Sequence, residues 1–548
     1  LERRNFLVYF LLWILAFFFG YSIKKEDGNM TLYKTDGMNA SHKIENINEQ
    51  LAGVFYNPKN SGAKFDGITE DTFAIQRAID SGYTKILIGS CVIDKLTLLD
   101  NKNYTFELIG DIKHKDNASG DMFTSGVNTR IVINSKNHKI NGNFINQTLR
   151  TNIFDITNAM SVVMWNVDFV NIKKRAIEGK SNNLKLIQLE NCNFLDADLH
   201  TGMLNEGTGF VSIFGGDLNI FNKCTFKQAT DPQKNQNRNP SGIFISGSNG
   251  KKNVIVTNCY FENLGHNVAG NLESPLDIYS YAEKVVYDGN IFKKSRFIPF
   301  RVTNAKVAEI KNNQVYQEVD IINDGGTSYS DPSCFTCGIV VRGYTVNDAD
   351  NKIYNINNNY FYVSNVKCRA VTVSNDTVTR RVESVIIKDN TFESEGTNNT
   401  EGILINKVKH SDLSKNIIKG FAGGITVQQT NIDALANDFP TLHVYGCQLE
   451  VSGTGVFSRD SVSNLSIYIK DSSFIKSTGT LAFSVRNAKN LDVSGCEMPL
   501  SNNGDTSANG TFYFYNNRTN FNSQPAGITT NTYYRSYNNR GIADSTSI

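Results

Sequence analysis

Six side chains in the middle of the chain have types and spacings that suit chemistry. Glu273 and Asp277 are carboxylates four residues apart, and two carboxylates in one site can divide into an acid and a base. Arg301 and Arg342 offer planar guanidinium forks that grip a carboxylate through two bonds. Tyr279 has a ring that can lie on a sugar, and His266 titrates in the range useful for moving protons. Together the six suit an acidic polysaccharide. Two reactions are open. In glycoside hydrolysis, Arg301 holds Asp277 ionised as nucleophile or base. Glu273, in a loop with apolar neighbours, is then the acid. In β-elimination a base removes the proton α to a uronic carboxylate. Arg301 or Arg342 then neutralises the enolate-like intermediate, with Tyr279 or His266 handling protons. Hydrolysis is the favoured of the two. A calcium-dependent lyase needs oxygen ligands on successive strands, and no convincing Asp cluster is present, so neither metal nor cofactor is expected. The plainer reading is a solvated charged face with a structural Asp–Arg pair. Asp231, Asp320, Asp324 and Asp331 read as turn formers.

These residues need a frame that brings distant positions together, and a repeat supplies it. Asn-x-Phe and related triplets end short β-rich runs at Phe144, Phe169, Phe194, Phe226, Phe261, Phe292, Val315, Phe361, Phe392, Ile418, Leu449, Phe474 and Met498. From Phe169 onward the spacing averages roughly 30 residues, a solenoid period. The runs alternate with period two, as in Asn253-Val-Ile-Val-Thr-Asn, and no long 3.6-residue pattern intervenes. The 69 asparagines fit left-handed turns and stacked amide ladders. The expected architecture is all-β: a parallel β-helix.

A second strand recurs in each coil. Its apolar column is expected to run Ile243, Leu276, Ile298, Ile339, Val371, Ile403, Ile425, followed two residues on by Ile245, Ile278, Phe300, Val341, Val373, Ile405, Val427. That alignment places Asp277, Arg301 and Arg342 on one outer face in three consecutive coils, with Tyr279 in the column of the arginines. The longest inserted segments are ATDPQKNQNRNPSG, LGHNVAGNLESP and DIINDGGTSYSDPSCFTC, so the groove is expected between about Asp198 and Arg342.

Composition narrows the function classes. The chain has 548 residues, 40% hydrophobic and 20% charged, enough apolar material for a large core. Its net charge of +2 makes nucleic acid a poor partner.

Upstream, Asp66-Gly67 is a turn, Thr69 a plausible N-cap, and Phe73 to Ile79 continue an amphipathic helix that would cover the open end of the solenoid. This stretch, GAKFDGITEDTFAIQRAID, resembles the entry motif of pectate-lyase-superfamily right-handed parallel β-helix proteins, a group that includes phage tailspikes and capsule depolymerases. The resemblance covers about Val54 to Leu500. It implies a homotrimer on a phage tail or baseplate, held through the N-terminus, that binds and cleaves a bacterial capsular or exopolysaccharide. Two other readings stay open on this scaffold: a membrane-anchored or exported bacterial pectin-lyase-like enzyme, and a non-enzymatic receptor-binding adhesin.

Four segments are expected: 1–29 apolar, 30–53 a neck for attachment, 54–500 the β-helix, and 501–548 a small β-rich cap or trimer contact. Phe6 to Gly20 is nearly all apolar between Arg3-Arg4 and Lys24-Lys25, which suits a signal anchor. The alternative is an over-extended gene start, with the working protein beginning at Met30 on a virion tail. Of nine cysteines, Cys192, Cys224 and Cys259 share one context, and Cys447 and Cys496 follow a glycine at a similar place, so these five read as small buried members of a stack. Cys334 and Cys337 form a lone CxxC without further ligands and read as an ordinary loop pair.

Overall fold

The computed structural model describes residues 21–26, 29–34, 55–181, 183–197, 209–229, 240–246, 252–268, 271–295, 298–317, 336–343, 352–364, 369–375, 382–395, 401–428, 440–458, 465–475, 481–486, 488–498, 502–507, 511–519, 533–537, 539 and 545–547. The chain divides into two units, Leu1–Tyr56 and Asn57–Ile548. In the first, Tyr21–Glu26 and Asn29–Lys34 form an antiparallel hairpin that straddles the boundary expected between residues 29 and 30. The apolar run Phe6 to Gly20 lies outside the described residues.

The second unit is a parallel β-helix, wound in the right hand that crossovers between parallel strands adopt. Each coil lays one short strand on each of three faces. The coil built from Ala159–Trp165, Asp168–Ile172 and Ile177–Gly179 shows the pattern. Its strands pair in parallel with their counterparts one coil below and one above. The faces are called here the second, third and first sheets, in the order just given.

Inward columns make the core. On the third sheet Phe169, Phe194, Phe226, Phe261 and Phe292 stack ring on ring, with centroids 4.7–5.0 Å apart. The column continues through Val315, Phe361, Phe392, Ile418, Leu449 and Phe474. Each buried ring pair adds about 0.5–1.5 kcal/mol beyond its burial. Phe144 is not in this column. It sits in a 3-10 turn, and Ile140 takes the place beside Phe169.

Between the second and third sheets the chain turns on one residue with positive φ: Asn166 (56°), Asn258 (54°), Asn358 (54°), with Gly289, Gly446 and Gly495 at equivalent corners. Asparagine tolerates this region and glycine enters it without cost. The next residue points inward. The side-chain amides of Asn290, Asn313, Asn359 and Asn390 each donate to the Oδ1 of the next, ending at Asn416, at 2.9–3.0 Å. Backbone N–H groups along the column donate to the same oxygens. Cys192, Cys224 and Cys259 precede this ladder at the same corner position, and Cys447 and Cys496 follow it. All five are buried free thiols.

The head is closed by the helix Thr72–Asp80, whose buried face is Ala74, Ile75, Ala78 and Ile79. Its N-cap is Asp71, not Thr69. The Asp71 carboxylate accepts from the backbone of Lys64 and Phe65, and Thr69 instead closes a turn onto Asp66. Gln76 makes the cap functional. Its amide donates to the Thr97 carbonyl at 3.0 Å and accepts from the Thr97 N–H at 2.9 Å, pairing an edge strand as another strand would.

At the other end the parallel ladders run on through Asn502–Ser507, Thr511–Tyr515 and Tyr533–Tyr537. Tyr533–Tyr537 then pairs antiparallel with Ser545–Ser547.

Candidate functional site

The outward column of the first sheet gathers the chemistry. Successive coils place Thr124, Asp155, Glu178, Ser212, Phe244, Asp277 and Arg301 one above another. Steps are about 4.8 Å. The strands Leu276–Asp288 and Phe300–Lys311 run unbroken from the first sheet into the second, so Asp277 and Arg301 stand on the two most continuous rungs.

Asp277 and Arg301 are direct neighbours. Arg301 Nε donates to Asp277 Oδ1 at 3.0 Å, and Nη2 donates to Oδ2. Asp277 has no exposed surface and the Arg301 side chain is 11% exposed. This corrects the expected register by two residues: Phe300, not Ile298, lies between Leu276 and Ile339, and Arg301 shares the column of Asp277. Arg342 instead pairs with Thr303 and Ser374, in the column of Tyr279. The two arginines therefore occupy adjacent columns of one sheet.

His266 and Glu273 are backbone register partners in a small antiparallel hairpin, His266–Val268 with Asn271–Glu273, which leads into the Asp277 strand. The inserted segments expected to wall the groove fall largely outside the described residues, with Asp198, Asp231, Asp320, Asp324, Asp331 and Cys334 among them. Cys337 lies in the strand Thr336–Gly343 rather than in a loop.

Three hydroxyls without partners among the described residues lie on the same column as the Asp277–Arg301 pair or close to it in sequence. Ser212 and Ser274 are fully buried and Thr303 nearly so, and their hydroxyl oxygens have no hydrogen-bond partner among the described residues. Ser212 lies two coils before Asp277 in its column, Ser274 three residues before it in sequence, and Thr303 two residues beyond Arg301. Buried hydroxyls of this kind are uncommon and mark places where a further polar group belongs. Tyr287, inside the core, is held well above the usual phenol range, first by burial and then by the Asp277 charge. Phe214 and Phe244 add an aromatic pair on the outer face, with centroids 6.1 Å apart.

A second charged group was not recognised in the sequence. Glu178 is buried and accepts from Arg175, from Lys174 at 3.3 Å and from Asn152 at 2.8 Å, with Lys180 at 3.4 Å. Asn152 is itself fixed by Asp121. In KKRAIEGK these residues look like a solvated charge run. Only closure of the coil against Asn152 encloses the carboxylate. A carboxylate held by three cations is a structural anchor for this face. Asp155, one coil below and half-exposed, is the more accessible carboxylate.

No protein-family model matches the sequence, and no curated protein matches it. Among solved structures, the Streptococcus pneumoniae surface adhesin PfbA is 18% identical, with 78% of this chain and 93% of that one covered and a TM-score of 0.43. A tailspike protein of E. coli bacteriophage HK620 is 11% identical over 82% of each chain, with a TM-score of 0.37. An exopolygalacturonase from Thermotoga maritima is 11% identical over 76% of this chain and 91% of that one, with a TM-score of 0.27. These similarities are weak, and the fold rests on the strand pairing itself: the chain is a parallel β-helix protein.

Proposed function

We propose that this chain binds a bacterial surface polysaccharide along the outer face of its first sheet and hydrolyses it. The observation that carries the reading is the Asp277–Arg301 pair on the outward column, where the buried carboxylate fixes an arginine that keeps 11% of its side-chain surface exposed. Arg301 and Arg342 meet acidic groups on the glycan, and Tyr279, Phe214 and Phe244 meet its ring faces. Glu273, opposite His266, takes the proton-transfer role. Asp277, enclosed and doubly bonded, fixes Arg301 and supplies the second carboxylate. In this reading the chain works outside the cell as a trimeric part of a virion tail, attached through residues 30–53.

The enclosure of Asp277 also supports a second reading, in which the same face binds glycan without cutting it. Digestion of a panel of purified capsular polysaccharides separates the two. New reducing ends without the absorbance of an unsaturated uronate indicate hydrolysis, that absorbance indicates elimination, and binding with neither indicates an adhesin. Under hydrolysis, Glu273→Gln lowers turnover about 10²–10⁴-fold with unchanged melting. Asp277→Ala removes the buried carboxylate that Arg301 grips and costs about 3–5 kcal/mol of stability as well as activity. Full activity in Glu273→Gln removes that residue from the mechanism, and failure to bind any acidic or neutral capsule removes the glycan reading.

A further inference from the structure

The outer face of the second sheet changes character along its length. One outward column runs Val132, Val163, Gln188, Ile220, Ile255, Val286 in the first half of the solenoid. Toward the C-terminal end the same column reads Asp412, His443, Tyr468, Asp492, Tyr513. A mostly aliphatic column gives way to three rings and two carboxylates. Nothing in the winding of the strands requires that change.

The geometry at Asp492 is specific. Tyr468 is one coil below it and Tyr513 one coil above. The two tyrosines are therefore separated by two strand spacings, about 9.6 Å, with only the shorter Asp492 between them. His443 stacks under Tyr468 with centroids 4.7 Å apart and planes 14° from parallel, which fixes the lower wall. Lys470 Nζ lies over the Tyr468 ring, 5.9 Å from its centroid, and 3.4 Å from Asp492 Oδ2. Asp492 Oδ1 is buried and has no hydrogen-bond partner among the described residues.

We propose that this slot is a saccharide-binding site that takes one pyranose unit between Tyr468 and Tyr513. Two van der Waals contacts of about 3.5–4.0 Å use about 7–8 Å of the gap, which leaves about 2 Å for the puckered thickness of a saturated six-membered ring. A flat aromatic ligand would leave the slot underfilled. The part-exposed Asp492 side chain accepts from a sugar hydroxyl through Oδ2, on the side of Lys470. Lys470 donates to a second hydroxyl or to the ring oxygen. The site lies on a different face from the Asp277–Arg301 pair, and its occupancy does not depend on whether that face cuts anything.

Saturation-transfer NMR on the full chain with methyl α-D-mannopyranoside, methyl β-D-glucopyranoside and methyl β-D-galactopyranoside tests this. At least one gives a signal, and that signal falls at least fivefold in Asp492→Asn and in Tyr468→Ala. Asp492→Asn preserves side-chain size, so its melting curve matches the wild type. Lys388→Ala, lower on the same face, leaves the signal in place. No signal from any of the three sugars, or a signal that survives both slot replacements, overturns the proposal. Cleavage of capsules does not enter this readout, so either reading can fail alone.

Discussion

Buried ionisable groups in this solenoid are tied down one by one, and each tie has a consequence in solution. Asp277 is held by Arg301, Glu178 by Arg175 and Lys174, and Lys352 by Asn304 at 2.7 Å. His114 is the case with a pH signature. It is 1% exposed, and its Nε2 donates to the Asp94 carbonyl at 2.9 Å. Burial pushes its pKa down, and the bond to Asp94 with the charges of Asp94 and Asp121 pushes only part of the way back. The unfolded chain, with an ordinary histidine near 6.5, therefore binds a proton that the folded chain refuses. Stability is complete above about pH 6.5 and falls as pH drops below it. Urea midpoints measured between pH 7.5 and 5.5 should decline in the wild type, and His114→Gln should flatten that slope whatever its effect on the midpoint itself. An identical slope in the variant would show that His114 is not its source.

At the scale of the element, the inward corner position is the unit of stability. Asn359 receives the backbone N–H of Asn313 at 3.0 Å and donates to Ile310 and Asn390. Asn359→Ala orphans the buried Asn313 N–H, at a cost of about 1–3 kcal/mol. The adjacent Asn358 is exposed at φ 54°, a backbone glycine adopts freely, so Asn358→Gly should stay within about 0.5 kcal/mol. Equal losses in denaturant titrations of the two would refute the ladder as the source of stability. Both positions belong to one three-residue pattern, and the pattern was readable because Asn, Gly and Cys recur at this corner before the inward Phe column, although Lys223, Asp389, Lys415 and Asp471 also take the positive-φ place. The phenylalanine column was legible for a similar reason. The strand before Arg301 was not. In Phe297-Ile-Pro-Phe-Arg301 both Ile298 and Phe300 are apolar and share a face, so a slip of two residues preserves alternation and period two cannot detect it. Phe144 misled through a triplet that is local sequence, while the column followed Ile140. The Glu178 anchor was hidden because its burial comes from Asn152, in the preceding coil.

At the scale of the whole solenoid, the ends decide whether the stack survives, because each coil is stabilised mainly by its neighbours. The head is finished by Gln76 and the helix face of Ala74, Ile75, Ala78 and Ile79. The tail depends on continued pairing. Leu481–Arg486 pairs with Asn502–Ser507, and Asn490–Ser494 pairs with Thr511–Tyr515. Phe512 and Phe514 are fully buried, and Phe512 packs edge-on against Phe483 at 6.2 Å. Asn517 and Asn539 carry the amide ladder onward, bonding to the Val493 and Phe514 carbonyls at 2.9 Å. A chain ending at residue 500 would thus uncover Phe483, Leu491 and Val493 along with two unpaired strand edges, which is a template for aggregation. If residues 501–548 were a separable cap, the shortened protein would stay soluble and melt close to the full chain. The pairing predicts the opposite: expression of residues 30–500 should give mainly aggregate, whereas residues 30–548 should elute as a discrete species by size exclusion. A soluble, cooperatively melting 30–500 protein would mean that the last coils are an appendage rather than part of the stack.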